Sequence, residues 1–176
     1  MKKKRTLTVV AAVLAVLMLG VGYANISNIT LNITDSSSAT ATPSADQFAV
    51  KFTQAAKTSA PDYATVNQSV DTSDPTKGNI EISGLKAKGD TVVVTFTILN
   101  DSKDLAANLV TAVDNTATGY DKTNFEVTSA LADTKIEHSA TTTLTVTVKL
   151  LTTPIDQTLT TKIPVSVTAS ATTPAA

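Results

Sequence analysis

Few residues in this 176-residue sequence have the types and spacing to do chemistry. The one histidine, His138, stands in Lys135-Ile136-Glu137-His138-Ser139-Ala140. A zinc hydrolase site of the helical type needs two histidines one turn apart plus a glutamate, and one histidine cannot supply it. Glu137-His138 reads instead as a turn cap ahead of a following strand. Asp71 and Asp74 share one turn-rich stretch and Asp101 and Asp104 another, but neither matches an EF-hand loop or a repeated calcium motif. Serine and threonine are plentiful, yet a hydroxyl-rich strand protein supplies them by default and no base accompanies them. No glycine-rich phosphate loop is present. The Asn-x-Ser/Thr triplets at Asn25, Asn28, Asn32, Asn67 and Asn100 are glycan acceptors only where that machinery exists. These residues predict no catalytic set, no cofactor and no metal site, and so a protein that is not an enzyme.

The start of the chain carries a different kind of information. Residues 1–5, Met-Lys-Lys-Lys-Arg, are basic, and an uncharged, mostly apolar run extends from Thr6 to about Val21. Gly22-Tyr23-Ala24 then offers small residues of the kind a signal peptidase accepts. This three-part layout predicts a secretory signal over residues 1–24, cut between Ala24 and Asn25, and therefore a secreted, extracellular protein. The alternative is an uncleaved anchor, but the run falls short of the roughly 20 residues that span a bilayer.

Removal of that segment shifts the charge. Four of the 14 basic residues lie within it, including the sole arginine, which leaves 10 lysines against 15 acids, or 10 − 15 = −5. A chain without arginine or a basic cluster is a poor partner for nucleic acid or an anionic membrane surface. The absence of cysteine removes disulfides, lipid-modified cysteine and thiolate metal sites, so stability has to come from sheet packing or from neighbouring subunits.

The elements that position these residues are strands. Threonine and valine are β-branched and suit a pleated, half-buried surface. Val92, Val94, Phe96 and Ile98 alternate with Thr91, Val93, Thr95, Thr97 and Leu99; Leu144, Val146, Val148 and Leu150 alternate with Thr143, Thr145, Thr147 and Lys149. Ile163, Val165, Val167 and Ala169 repeat the pattern, as do Phe48-Val50-Phe52 and Ile80-Ile82 in shorter form. Turn residues separate these runs at Asp74-Pro75, Lys77-Gly78, Lys88-Gly89-Asp90 and Asn100-Asp101-Ser102. Residues 104–113 fit a strand or a helix face, with strand favoured by the neighbours, and residues 54–70 fit a short helix or a long loop. The whole predicts an all-β sandwich or jelly roll.

Residues 35–46 lack periodicity and apolar bulk and read as a flexible linker. They set apart residues 25–34, in which Ile29, Leu31 and Ile33 alternate with polar neighbours and Ile26 lies just upstream. Such a tethered strand either folds back as an edge strand of its own domain or leaves to complete a neighbour's sheet.

Gly84-Leu85-Lys86-Ala87-Lys88-Gly89-Asp90, the strand from Thr91 to Leu99, and Asn100-Asp101-Ser102-Lys103-Asp104-Leu105-Ala106-Ala107 together resemble the core signature of the TasA and camelysin family. In that family a Leu-x-Pro-Gly-Asp turn leads into an alternating strand that ends in Asn; here Lys88 takes the place of proline. Leu85, Gly89, Asp90, Phe96 and Asn100 carry the likeness. The Gly22-Tyr23-Ala24 end of the signal also resembles that family's export signals, which a dedicated peptidase of the SipW type reads, although Asn25-Ile26 follows in place of the usual aromatic. The resemblance implies a jelly-roll-like sandwich that builds extracellular, biofilm-matrix fibres, in which the N-terminal strand of one subunit inserts into the next. It implies no transferable protease activity.

The layout expected is thus a signal over residues 1–24, a donor strand over 25–34 (Ile26, Ile29, Leu31, Ile33), a linker over 35–46, a β-sandwich over 47–170 and a tail over 171–176. The partners expected are other copies of the chain, a signal peptidase during export and further matrix components. The competing reading is a monomeric cell-surface binding module or adhesin. With Tyr63 and Tyr120 the only tyrosines beyond the signal, its aromatic ligand platform would be thin.

Overall fold

The computed structural model describes residues 29–33, 37–41, 47–155 and 157–174. Over these the protein is all-β, without an α-helix. The expected signal, the Ala24–Asn25 junction and Ile26 lie outside the described residues, as do residues 175–176 of the tail.

Strands β1 (Ile29–Ile33) and β2 (Ser37–Ala41) pair antiparallel as a two-stranded sheet. Ten residues of β3 (Val50–Ser59) open the body, followed by β4 (Thr65–Val70), β5 (Gly78–Ser83), β6 (Thr91–Asn100) and β7 (Ala106–Val113). Then come β8 (Phe125–Leu131), the short β9 (Lys135–Ile136), β10 (Thr141–Leu150) and β11 (Val165–Thr172). One sheet has the order β3-β6-β10-β8, a second β11-β7-β9, and β4 and β5 form a separate pair. All pairings are antiparallel.

The period of two predicts which faces are buried. Along β6, Val92, Val94, Phe96, Ile98 and Asn100 are buried and the intervening residues half-buried; along β10, Thr142, Leu144, Val146, Val148 and Leu150 are buried. Register places Leu144 opposite Phe96, Val146 opposite Val94 and Val148 opposite Val92, so the two central strands present one continuous apolar face. Phe125 and Val127 of β8 extend it, and the Phe52 and Phe96 rings meet with centroids 5.2 Å apart. Each large side chain removed from water contributes about 1.5–3 kcal/mol.

A second layer covers this face and makes the architecture sandwich-like. Ala107 and Leu109 of β7 and Ile136 of β9 join the buried cluster, with Val66, Val70, Ile80, Ile82, Val165, Val167 and Ala169 packed against it. The Thr111 and Ser129 hydroxyls, 2.8 Å apart, link β7 to β8 across one edge of the two layers.

Three sequence expectations change. Residues 54–70 hold neither helix nor long loop but the end of β3 and all of β4. Register shifts between Phe52 and Gln54 and between Lys57 and Ser59 interrupt the alternation of β3, so the period of two is not legible there. Residues 35–46 include β2, whose partner is β1. Backbone pairing needs no apolar side chains, so a Ser-Ser-Ala-Thr-Ala strand leaves no hydropathy signal. Finally, β11 begins at Val165 and extends to Thr172, beyond the expected domain limit at residue 170.

Candidate assembly groove

The second layer is not continuous. β5 pairs with β4, and β11 pairs with β7, but among the described residues no strand pairs with the other side of either one. Between them the apolar face of the four-stranded sheet is reached through an open trough.

Its floor consists of Phe96 from β6, Leu144, Val146, Val148 and Leu150 from β10, and Phe125 from β8. β5 supplies one wall through Ile80 and Ile82, and the non-strand run leading into β11 supplies the other through Leu159 and Ile163. The wider part, toward Leu85 and Leu150, encloses about 800 Å³; a narrower part of about 410 Å³ continues past Ile80 and Ile163 toward Gly78, Phe52 and Val165. Both wall isoleucines of β5 are half-buried, and Ile155 at the wide end is 88% exposed. The trough is therefore an elongated slot beside an unpaired strand edge, with an apolar floor and a mixed rim that includes Glu81, Gln157, Thr161 and Lys162.

Local sequence explains the wall. Gly78 opens β5 directly over the Phe96 ring: a Cβ there would stand 2.5 Å from Phe96 Cε1, so only glycine brings the wall this close to the floor. At the other end, Gly84 has φ +83 where the chain turns out of β5, and a Cβ there would stand 2.8 Å from the Tyr63 carbonyl oxygen.

The residues of the family-like signature gather in two places. Leu85 is half-buried and lines the wide end of the trough, and Phe96 is in its floor. Gly89 (φ +96) and Asp90 close the turn between them. Asp90 Oδ2 accepts from the Lys86 and Ala87 amides at 2.7 and 3.0 Å, and Oδ1 accepts from the Tyr63 hydroxyl at 2.7 Å. Those donors, the Ala87 amide foremost, hold the Asp90 carboxyl below its ordinary range, and the same bond raises the Tyr63 phenol. Lys86 Nζ lies 4.8 Å from the Tyr63 ring centroid. Asn100 sits apart, fully buried at the end of β6, where it ties loops together.

Compared with protein-family models, curated proteins and solved structures, the chain shows no match. Its reading rests on its own geometry.

The other singled-out residues do not converge. His138 is exposed in the turn from Glu137 to Ala140, where Ala140 N donates to the Glu137 carbonyl at 3.2 Å and Ser139 takes φ 59. Asp101 pairs with Lys51 at 2.6 Å. Asp71 accepts from the Ser73 amide and hydroxyl, and Asp74 from Thr76 and, at 2.7 Å, Lys77, so both carboxylates serve their own turn. Among the described residues no group of three His, Cys, Asp or Glu side chains could hold a metal ion, and no helix is long and apolar enough to cross a membrane.

Of the expected donor strand, Ile29, Leu31 and Ile33 are in β1. What sequence reasoning did not find is the trough. The Ile80-Ile82 alternation marks β5 as a strand, but nothing in a sequence reports that a strand lacks a neighbour.

Proposed function

We propose that this chain is an exported, non-catalytic structural subunit of jelly-roll-like topology that polymerises into extracellular fibres. Each subunit donates the strand around Ile29–Ile33 to the trough of the next. The observation that carries this reading is the trough itself, an apolar-floored slot running beside the unpaired edge of β5. An inserted strand would complete the second layer, pair with β5 and fill the space above the floor, which is the mode of recognition known as strand addition.

The patterns match. Leu144, Val146, Val148 and Leu150 repeat along the floor every second residue, about 6.6–6.8 Å apart along an extended strand. Ile29, Leu31 and Ile33 repeat with the same period. Their burial contributes about 5–9 kcal/mol at 1.5–3 each. Association costs on the order of 4–15 kcal/mol, so a durable joint also needs the main-chain ladder and contact between bodies. Export fits the same scheme: cleavage after Ala24 frees the donor strand from the membrane-held signal, which keeps the precursor from assembling.

The test is negative-stain microscopy of the mature protein beside a variant that lacks residues 25–34. Fibres from the first alone support the reading; equal fibre formation by both removes it. A mature protein that stays monomeric by light scattering at high concentration favours a binding module instead.

A further inference from the structure

We propose that β2 is a built-in competitor for the donor strand: it holds β1 in a hairpin before assembly, and its release sets the rate at which fibres form. This inference rests on the donor-strand reading and concerns the regulation of the same joint.

The register is complete along the hairpin. Ile29 pairs with Ala41, Thr30 with Thr40, Leu31 with Ala39, Asn32 with Ser38 and Ile33 with Ser37. Every residue of β1 that the assembly reading assigns to a neighbour's trough is thus already paired within its own chain. No strand of the sandwich shares a register with either β1 or β2 among the described residues. A donor strand with unpaired backbone groups is an aggregation hazard, because any exposed edge can template it. Pairing it with a resident partner removes that hazard.

The composition of β2 makes the partner replaceable. Ser-Ser-Ala-Thr-Ala provides ladder hydrogen bonds but no large apolar side chain, and serine and alanine add little as cross-strand neighbours. An isolated two-stranded hairpin is marginal in water. The trough offers the same kind of ladder along β5 together with a floor of Phe96, Leu144, Val146, Val148 and Leu150. Exchange therefore keeps the number of backbone bonds nearly constant and replaces a small-residue partner with a large apolar surface. The forward direction is favourable, and opening of the hairpin precedes it.

The cysteine-free background allows a direct test. Thr30→Cys with Thr40→Cys places two thiols at register partners and leaves Ile29, Leu31 and Ile33 unchanged. Antiparallel partners have Cα atoms about 4.5–5.5 Å apart, within disulfide range. Assembly of the mature protein is followed by light scattering and negative-stain microscopy. The oxidised variant is expected to remain unassembled and the reduced one to form fibres. Oxidised protein that assembles as fast as reduced protein overturns the proposal. The double substitution Ala39→Pro/Thr40→Pro gives an independent reading: alternate residues of an antiparallel strand point their N–H at the partner, so one of these two neighbours removes a ladder donor from β2 without touching β1. Its lag is expected to shorten roughly fivefold, the factor that one lost hydrogen bond of about 1 kcal/mol produces. An unchanged or longer lag overturns the proposal. The variant lacking residues 25–34 separates the two levels: if it fails to assemble while the oxidised hairpin assembles freely, the donor strand stands and the competitor falls.

Discussion

Asn100 donates from Nδ2 to the Leu105 carbonyl at 2.8 Å, which fixes the end of β6 to the start of β7. The same nitrogen lies 3.2 Å from the Glu137 carbonyl and 3.3 Å from that of Ile136, while Oδ1 accepts from the Ser102 amide at 3.2 Å. The backbone of Asn100 is engaged as well, donating to Ala140 and accepting from Ser139. One fully buried side chain thus joins the end of β6 to the residue before β7 and to the end of β9. Asn100→Leu keeps the size and removes the side-chain donor to the Leu105 carbonyl and the acceptor of the Ser102 amide. The expected loss is at least about 1–3 kcal/mol, read as a lower urea midpoint with unchanged slope.

Gly78 and Phe96 form a second dependence, between the wall of the trough and its floor. Gly78→Ala places a methyl against Phe96 Cε1, and the ring or β5 has to shift. A cost of about 1–3 kcal/mol is expected, the range for overpacking a formed core. Phe96→Leu in the same chain is expected to recover part of it, so a double-mutant cycle followed by thermal denaturation should give a coupling of about 0.5–3 kcal/mol. Additive effects would show that the two residues do not meet.

How much of this was legible in the sequence depended on what held each element in place. β6 and β10 sit at the centre of a sheet with one face on the core, and their strict alternation is visible residue by residue. β3 is an edge strand with two register shifts, and its alternation dissolves where the bulges fall. β2 has no apolar residue larger than alanine and is defined by its partner alone. Leu85 and Phe96 belong to the family-like turn and strand, and both line the trough. The trough as a whole was not legible, because it is a relation among β5, β10 and the run before β11, far apart in sequence.

Acid should weaken the protein over a defined window. Asp74 is lowered to about 2, first by its hydrogen bond with Lys77 and then by that with Thr76. Asp71, Asp90, Asp114 and Asp121 are also lowered, chiefly by donors in their own turns. A carboxyl depressed in the folded state favours folding above its unfolded value of about 3.9, and that contribution disappears as pH falls through the folded value. The thermal midpoint is expected to hold above about pH 5 and to fall between about pH 4 and pH 2. Asp74→Asn should flatten the lower part of that decline. An equal slope in both proteins would mean that the Asp74–Lys77 contact contributes nothing.

On the donor-strand proposal, donation in one direction would make the two ends of a fibre unlike, and this gives the sharpest test of the proposed joint. A head-to-tail contact is heterologous, so each subunit would use one surface to donate and a different one to accept. Ile82 is a half-buried wall residue, which makes it a safer target than the buried floor. Ile82→Lys puts a charge in the slot, where an inserted apolar strand cannot pair with it. That variant should fold, fail to assemble alone, and still donate its own strand into a wild-type trough. Added in small amounts to wild-type protein it should cap growing fibres and shorten them. The variant lacking residues 25–34 should cap the opposite end, since it accepts but cannot donate. Mixed together without wild-type protein, the two should stop at a one-to-one complex, because the single intact strand and the single intact trough are then consumed. Sedimentation of that mixture decides the matter: long polymers from two subunits that are each defective alone would show that a different surface joins them.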